Sequence, residues 1–200
     1  MPTSYDRIAP HYDRHLRPIE KWFLEDLRKE TIAAIPKSGR FLELGAGTGA
    51  NFRHYHPTTK AIGIEPSSEM LRIATPKART KSVLLVRSVG EYLPFPNKCF
   101  DSALATLVLC SVQSPTTVFD ELKRVVKTGG VISLLEHVRP DGLLGPLFDA
   151  LSPITVRMFD DHLNRRTAEI ARMAGLEIIK VRKVGFGIIN VITCKVPSSV

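Results

Sequence analysis

A chain of 200 residues is long enough for one domain with a substantial core and short for two. With 44% hydrophobic and 24% charged residues it reads as a globular protein; no window approaches eighteen consecutive apolar residues, and the N-terminus lacks the apolar segment of a secretory signal. The net charge of +8 permits a nucleic acid or an anionic membrane as partner, but no basic run interleaves with aromatics and no nucleic-acid module is present, so nucleic acid is not favoured.

Helical spacing of Ile19, Trp22, Phe23, Leu27, Ile32 and Ile35 predicts a helix over 17–35, closed by Pro36, within a helical arm over 1–38. Short apolar runs then predict strands at 40–44, 60–65, 83–87 and 100–107, with a helix through about Arg79 between the second and third. Ser114 as cap and Pro115 at the first position open a helix over 115–127, which ends before Gly129-Gly130 and is followed by a strand over 131–136. A helix over 165–174 precedes two strands, 176–182 and 188–195, joined around Gly185 and Gly187. So short a connection cannot make a parallel crossover, so this last pair is antiparallel. The expectation is a single α/β domain over 1–200, Rossmann-like, with a seven-stranded, mostly parallel sheet, a C-terminal antiparallel hairpin and helices on both faces. Cys99, Cys110 and Cys194 are far apart and lie beside or within apolar runs. They read as buried thiols in a cytoplasmic protein, with neither a disulfide framework nor a metal site.

Most of the functional signal lies in Phe41-Leu42-Glu43-Leu44-Gly45-Ala46-Gly47-Thr48-Gly49-Ala50. Glycines at 45, 47 and 49 let the chain turn at a strand's C-terminal edge and bring backbone close to a ligand. Glu65, twenty residues after Gly45, ends the second predicted strand, where a carboxylate can accept hydrogen bonds from both hydroxyls of a ribose. A dinucleotide site fits the glycines almost as well, but a helical arm precedes the glycine strand and an antiparallel hairpin ends the chain. Glu43 also suits a nearby ammonium or sulfonium better than a pyrophosphate.

With these motifs the chain resembles the class I S-adenosylmethionine-dependent methyltransferases, in the branch of ubiquinone/menaquinone-type and phospholipid N-methyltransferases. The resemblance also rests on Gly63-Ile-Glu65-Pro-Ser, Gly90-Glu91-Tyr-Leu-Pro-Phe-Pro96, Cys99-Phe-Asp101 and Arg124-Val-Val-Lys-Thr-Gly-Gly130. Tyr5 to Asp13 is similar to an arm that covers the cofactor, and Thr106 to Pro115 with Glu136-His137-Val138 is similar to enzymes that methylate small thiols. The resemblance implies S-adenosylmethionine as cofactor, with Glu43, Gly45 and Gly47 beside its methionine moiety, Glu65 on the ribose, and Gly90 and Glu91 where adenine is met. Tyr12, Ala46, Asn51, Pro66 and Leu107 are further expected contacts. Val89 departs from the Asp many relatives have there, which leaves adenine to backbone groups of Gly90 and Glu91.

Because the sulfonium makes its methyl electrophilic, the protein's task is to hold an acceptor roughly 3 Å away in line with the bond that breaks. A base helps only acceptors that must lose a proton, and His137, just after the fifth strand, is the candidate beside His11, Tyr12 and His162. The most apolar connection, 142–159, supplies Leu143, Leu144, Leu147, Phe148, Leu151, Ile154, Met158 and Phe159 for an acceptor pocket, a peripheral contact with an anionic membrane, or a helix covering the sheet. The acceptor expected is therefore small or lipid-like: a phospholipid amine, a quinone or a thiol. Competing readings are an RNA methyltransferase, a nicotinamide-dependent oxidoreductase and a non-catalytic cofactor-binding partner protein; the chain has no Asn-Pro-Pro-Tyr-type motif, which disfavours methylation of exocyclic base amines.

Overall fold

The computed structural model describes residues 4–159 and 161–198. Its strands are β1 (Arg40–Leu44), β2 (Lys60–Ile64), β3 (Leu84–Val86), β4 (Phe100–Thr106), β5 (Val126–His137), β6 (Glu177–Val184) and β7 (Ile189–Lys195). They form one sheet in the order β3-β2-β1-β4-β5-β7-β6. The first five pair in parallel, and β7 runs antiparallel to both β5 and β6. The expected α/β Rossmann-like sheet with its terminal hairpin is thus the observed one.

Helices α3 (Ser68–Thr80), α4 (Pro115–Val125) and α6 (Thr167–Met173) connect the strands. The caps follow from sequence: Ser67 and Ser114 each accept from a backbone amide three residues on, at 3.1 and 3.3 Å. Strands buried on both faces divide their side chains between two cores. Leu42, Leu44, Leu134 and Ile192 pack toward Val118, Phe119 and Leu122 of α4, whereas Phe41 and Leu104 pack with Ala74 and Ala78 of α3. Each fully buried Leu, Ile or Phe contributes about 1.5–3 kcal/mol against exposure.

The N-terminal helix departs most from expectation. It starts at Ser4 rather than 17 and runs as α1 (Ser4–Ile19), a π turn (Glu20–Leu24) and α2 (Glu25–Ala33). Pro10 and Pro18 lie inside α1, and the π turn follows Pro18, whose missing N–H breaks the regular ladder. The fifth strand starts at Val126 rather than 131, its pairing with β4 shifting between Phe100 and Ser102. Residues 144–159, one of whose expected roles was a helix over the sheet, form α5 (Leu144–Phe159). The side chains of Met158 and Phe159 lie outside the described residues.

Candidate functional site

The parallel strands all end at one edge of the sheet, and the turn after β1 leaves it through three glycines with positive φ. Gly47, at φ +53°, matters most: a Cβ there would meet no heavy atom closer than 4.0 Å, so its outer side is open to a ligand. Its amide donates to Glu65 Oε2 at 3.0 Å, while the Ser67 amide donates to Oε1 at 2.9 Å. Glu65 is nearly buried, and burial raises its pKa against the lowering effect of those two amides. Each oxygen keeps acceptor capacity for a further donor, which suits two hydroxyls of a ribose.

Glu43 is placed differently from Glu65. Its carboxyl is fully buried, one oxygen accepting from Asn51 Nδ2 at 2.6 Å and the other from the Tyr55 hydroxyl. Burial pushes its pKa to about 7. The buried Arg28 of α2 donates to Asn51 Oδ1 at 3.0 Å and Thr106 Oγ1 at 2.8 Å, and pairs with Glu20 at 2.9 Å. Glu43 and Asn51 therefore belong to a closed network that fixes the ends of β1 and β4 and the arm. Arg28 and Tyr55 gave no signal in the sequence, and Thr106 only as the first residue of a longer motif, because the fold alone brings the three together.

The arm lies over the glycine turn. Asp6 accepts from Ser67 Oγ at 2.6 Å and from the Glu69 amide at 3.2 Å at the start of α3. Asp13 accepts from Thr48 Oγ1 at 2.6 Å and pairs with Lys77 at 2.9 Å. Between them Tyr12 is half-buried, edge-on to Tyr5 with ring centres 6.4 Å apart, and burial pushes its pKa to about 12. A cavity of about 570 Å³ opens beneath the arm, bounded by Tyr12, Arg28, Gly49 and Lys77. It adjoins the glycine turn on the α3 side; Glu65 and His137 are not in its lining.

The remaining expected cofactor residues divide. Ala46 is buried and hydrogen-bonds Ile64, and the Pro66 carbonyl accepts from Arg87. A Cβ on Gly90 would press on Leu44 at 2.9 Å, so this glycine is needed for packing. The Glu91 carboxylate accepts from the amides of Gln113 and Ser114 at 2.8 and 3.2 Å, holding the start of α4. Leu107 takes φ +57°, which costs a non-glycine residue about 1 kcal/mol or more. This bend lets the Val108 and Leu109 amides both donate to Glu136 Oε1 at 3.0 Å.

A second group of polar side chains sits after β4, the neighbour of β1 in the sheet, and after β5 beyond it. His137 Nε2 lies 2.9 Å from Asp161 Oδ1. Burial lowers the His137 pKa, but the hydrogen bond and charge of Asp161 outweigh it, so the net shift is upward. Its Nδ1 is buried without a partner among the described residues. Cys110 Sγ, a His137 ring nitrogen and an Asp161 oxygen lie within 4.8 Å of one another, a donor set that a zinc ion would accept. The thiol is buried, and burial holds it protonated well above its ordinary pKa. Tyr5 closes the group from the arm, 2.7 Å from Ser111 Oγ. Asp161 was not singled out by the sequence, and Tyr5 only as the start of the arm expected over the cofactor. His11 is exposed on the arm, and the His162 amide donates to the Cys110 carbonyl.

Comparison with known proteins places these features in context. A methyltransferase-domain family model matches residues 42–134. The thiol S-methyltransferase TMT1B of Rattus norvegicus is 37% identical over 134 residues, covering 63% of this chain and 55% of the relative. A demethylmenaquinone methyltransferase of a Roseiflexus species is 31% identical over 145 residues, covering 70% of this chain and 61% of the relative. The chain thus spans little more than half the length of these curated relatives. Among solved structures, a SAM-dependent methyltransferase from Thermotoga maritima shares the fold with a TM-score of 0.72 at 23% identity, covering 96% of this chain and 98% of that one.

Proposed function

We propose that the chain is a methyltransferase of the family whose domain model matches residues 42–134, and that it transfers a methyl group from S-adenosylmethionine to a small or lipid-like acceptor, a thiol ahead of a phospholipid amine or a quinone. The observation that carries the reading is Glu65, tied to the Gly47 and Ser67 amides at the sheet edge with acceptor capacity to spare. Bound there, the cofactor supplies an electrophilic methyl group. Glu65 holds the ribose hydroxyls, Gly47 gives the backbone close approach, and Tyr12 with the arm excludes water. Glu43 supports the site through Asn51.

The acceptor lies on the β4–β5 side, by His137. With Nε2–H donated to Asp161, the imidazole presents Nδ1 as a base, and this nitrogen takes the acceptor's proton. A thiol has most to gain, since loss of that proton makes it the thiolate nucleophile. Cys110, neutral and buried, shapes the wall. A thiol or lipid of this kind goes with peripheral contact at an anionic membrane.

The test is thermal stability with S-adenosylhomocysteine, and with NADH as control. At 100 times its dissociation constant, a ligand that binds only the folded state adds about 2.7 kcal/mol. A raised melting temperature with S-adenosylhomocysteine alone supports the proposal. A rise with NADH alone sinks it.

A further inference from the structure

Helix α5 carries Leu144, Leu147, Leu151 and Ile154 at i, i+3, i+7 and i+10, the spacing of a single helical face. Such a face is ordinarily buried, yet all four are exposed, Leu147 and Ile154 by more than half. Leu143, just before the helix, is 98% exposed. The helix is not long and apolar enough to cross a membrane.

Two other apolar tips project from neighbouring elements. Phe186, at the turn between β6 and β7, is 91% exposed, and Trp22, in the π turn of the arm, is 82% exposed. Local contacts join these places. A Cβ on Gly185 would touch the Phe23 ring at 3.4 Å, which puts the hairpin turn against the arm. Lys183 pairs with Asp141 at 2.5 Å and the Val138 amide donates to the Ile188 carbonyl, which puts the same hairpin against the segment leading into α5. The three apolar features therefore share the end of the molecule where His137 closes β5.

Charge decides what covers them. Asp141, in the segment before α5, and Asp149, in its second turn, are both neutralised, by Lys183 and Arg139. Arg14, Arg17 and Lys21 recur on one side of the arm beside Trp22, all exposed, and none forms an ion pair among the described residues. Lys21 instead sits 5.6 Å from the centre of the Trp22 ring. The chain as a whole carries +8. An apolar helix face and two separate apolar tips, one of them beside unpaired arginine and lysine, on a chain of +8, fit a soft, negatively charged interface, whereas a folded partner would need one continuous complementary surface.

We propose that α5, with Trp22 and Phe186, docks on a lipid bilayer bearing anionic headgroups, α5 lying in the interfacial plane with its Leu144–Ile154 face in the acyl boundary. This deepens the lipid-like acceptor reading and rests on it for its purpose: the same end of the molecule faces the bilayer and receives the acceptor. Docking itself does not require methyl transfer.

Trp22 is the sole tryptophan, so its fluorescence reports docking directly. The experiment mixes the full chain with phosphatidylcholine vesicles containing or lacking phosphatidylglycerol, and follows Trp22 emission and co-sedimentation. The expected result is a blue shift and sedimentation with the anionic vesicles, reversed by salt. L147E combined with I154E should weaken binding at least about tenfold, while affinity for S-adenosylhomocysteine stays unchanged. That last readout separates failure of docking from failure of the methyltransferase reading. Unshifted Trp22 emission with both vesicles overturns the proposal. Binding that ignores the α5 substitutions overturns it equally, as does a stable dimer that the same substitutions dissociate.

Discussion

The amide of Gly47 and the carboxylate of Glu65, eighteen residues apart, meet at 3.0 Å and join the turn after β1 to the end of β2. Because the Ser67 amide uses the other oxygen, one side chain positions both the glycine turn and the start of α3. Glu65→Ala strands two amides and removes the ribose acceptor. Each lost partner costs about 1–3 kcal/mol if the amide stays buried. The expected outcome is S-adenosylhomocysteine affinity reduced at least about a hundredfold, with a lower melting temperature, read by calorimetry. Unchanged affinity would remove Glu65 from the cofactor site.

Gly47→Val separates affinity from stability. The space around Gly47 is open, so valine adds little clash, but φ +53° is costly for a β-branched residue and its methyls occupy the side left free for a ligand. Cofactor affinity should fall sharply while the folded sheet persists by circular dichroism.

The pH dependence of stability follows from two buried acids. Glu43 and Glu136 are both pushed by burial from 4.5 to about 7. A carboxyl whose pKa is raised on folding favours the native state fully below its unfolded value near 4.5, and that contribution is lost as pH rises through about 7. Each group therefore makes the protein less stable at pH 8 than at pH 5, by roughly 1–3 kcal/mol. Glu43→Gln, which mimics the neutral acid, should flatten the pH dependence of urea unfolding by about that amount. Parallel curves for variant and wild type would contradict it.

At the acceptor side, Asp161→Asn tests the His137 pair. Asp161 is what raises the His137 pKa against burial, so its loss lets that pKa fall. A neutral imidazole is the working form, so the rise of activity with pH should move to lower pH in the variant. The maximal rate should fall by roughly ten- to a thousandfold, as the ring loses its orienting partner. A purely structural role would lower stability without moving the pH profile.

Arg28→Met tests the buried network. It leaves Asn51 Oδ1 without its donor, Thr106 Oγ1 with only Asn51 and Glu20 with only the longer Arg53 pair, and breaking one partner of a buried ion pair costs about 3–5 kcal/mol. A stability change under about 1 kcal/mol by chemical unfolding would show that water replaces the guanidinium.

The sheet was legible because parallel strands covered on both faces read as apolar runs, as at Phe100 to Thr106, which is buried almost throughout. In the arm, apolar periodicity marked a helix only from 17 onward, and its first part, Tyr5 to Asp13, was legible only by resemblance. Helix α1 is mostly polar and contains two prolines, which read as breakers although one helix runs through them. Helix α5 was left among three roles because its apolar residues and its prolines at 146 and 153 give no clear sidedness until their exposure is known. At the site, the glycines and Glu65 belong to local motifs and were found. Asp161 reaches His137 across 24 residues and Arg28 reaches Thr106 across 78, and no spacing rule encodes such encounters.

The order of the last two strands governs how this chain can be assembled. β7 lies between β5 and β6, although it follows both in sequence. A chain interrupted before residue 189 leaves β5 with a bare hydrogen-bonding edge and β6 with nothing to join, since β6 pairs only with β7 among the described residues. The sheet therefore cannot be completed in the order in which it is synthesised: β6 must wait, exposed, for its neighbour. Ribosome-bound chains stopped short of 189 should accordingly recruit chaperones and precipitate on release, and extension past 195 should restore solubility.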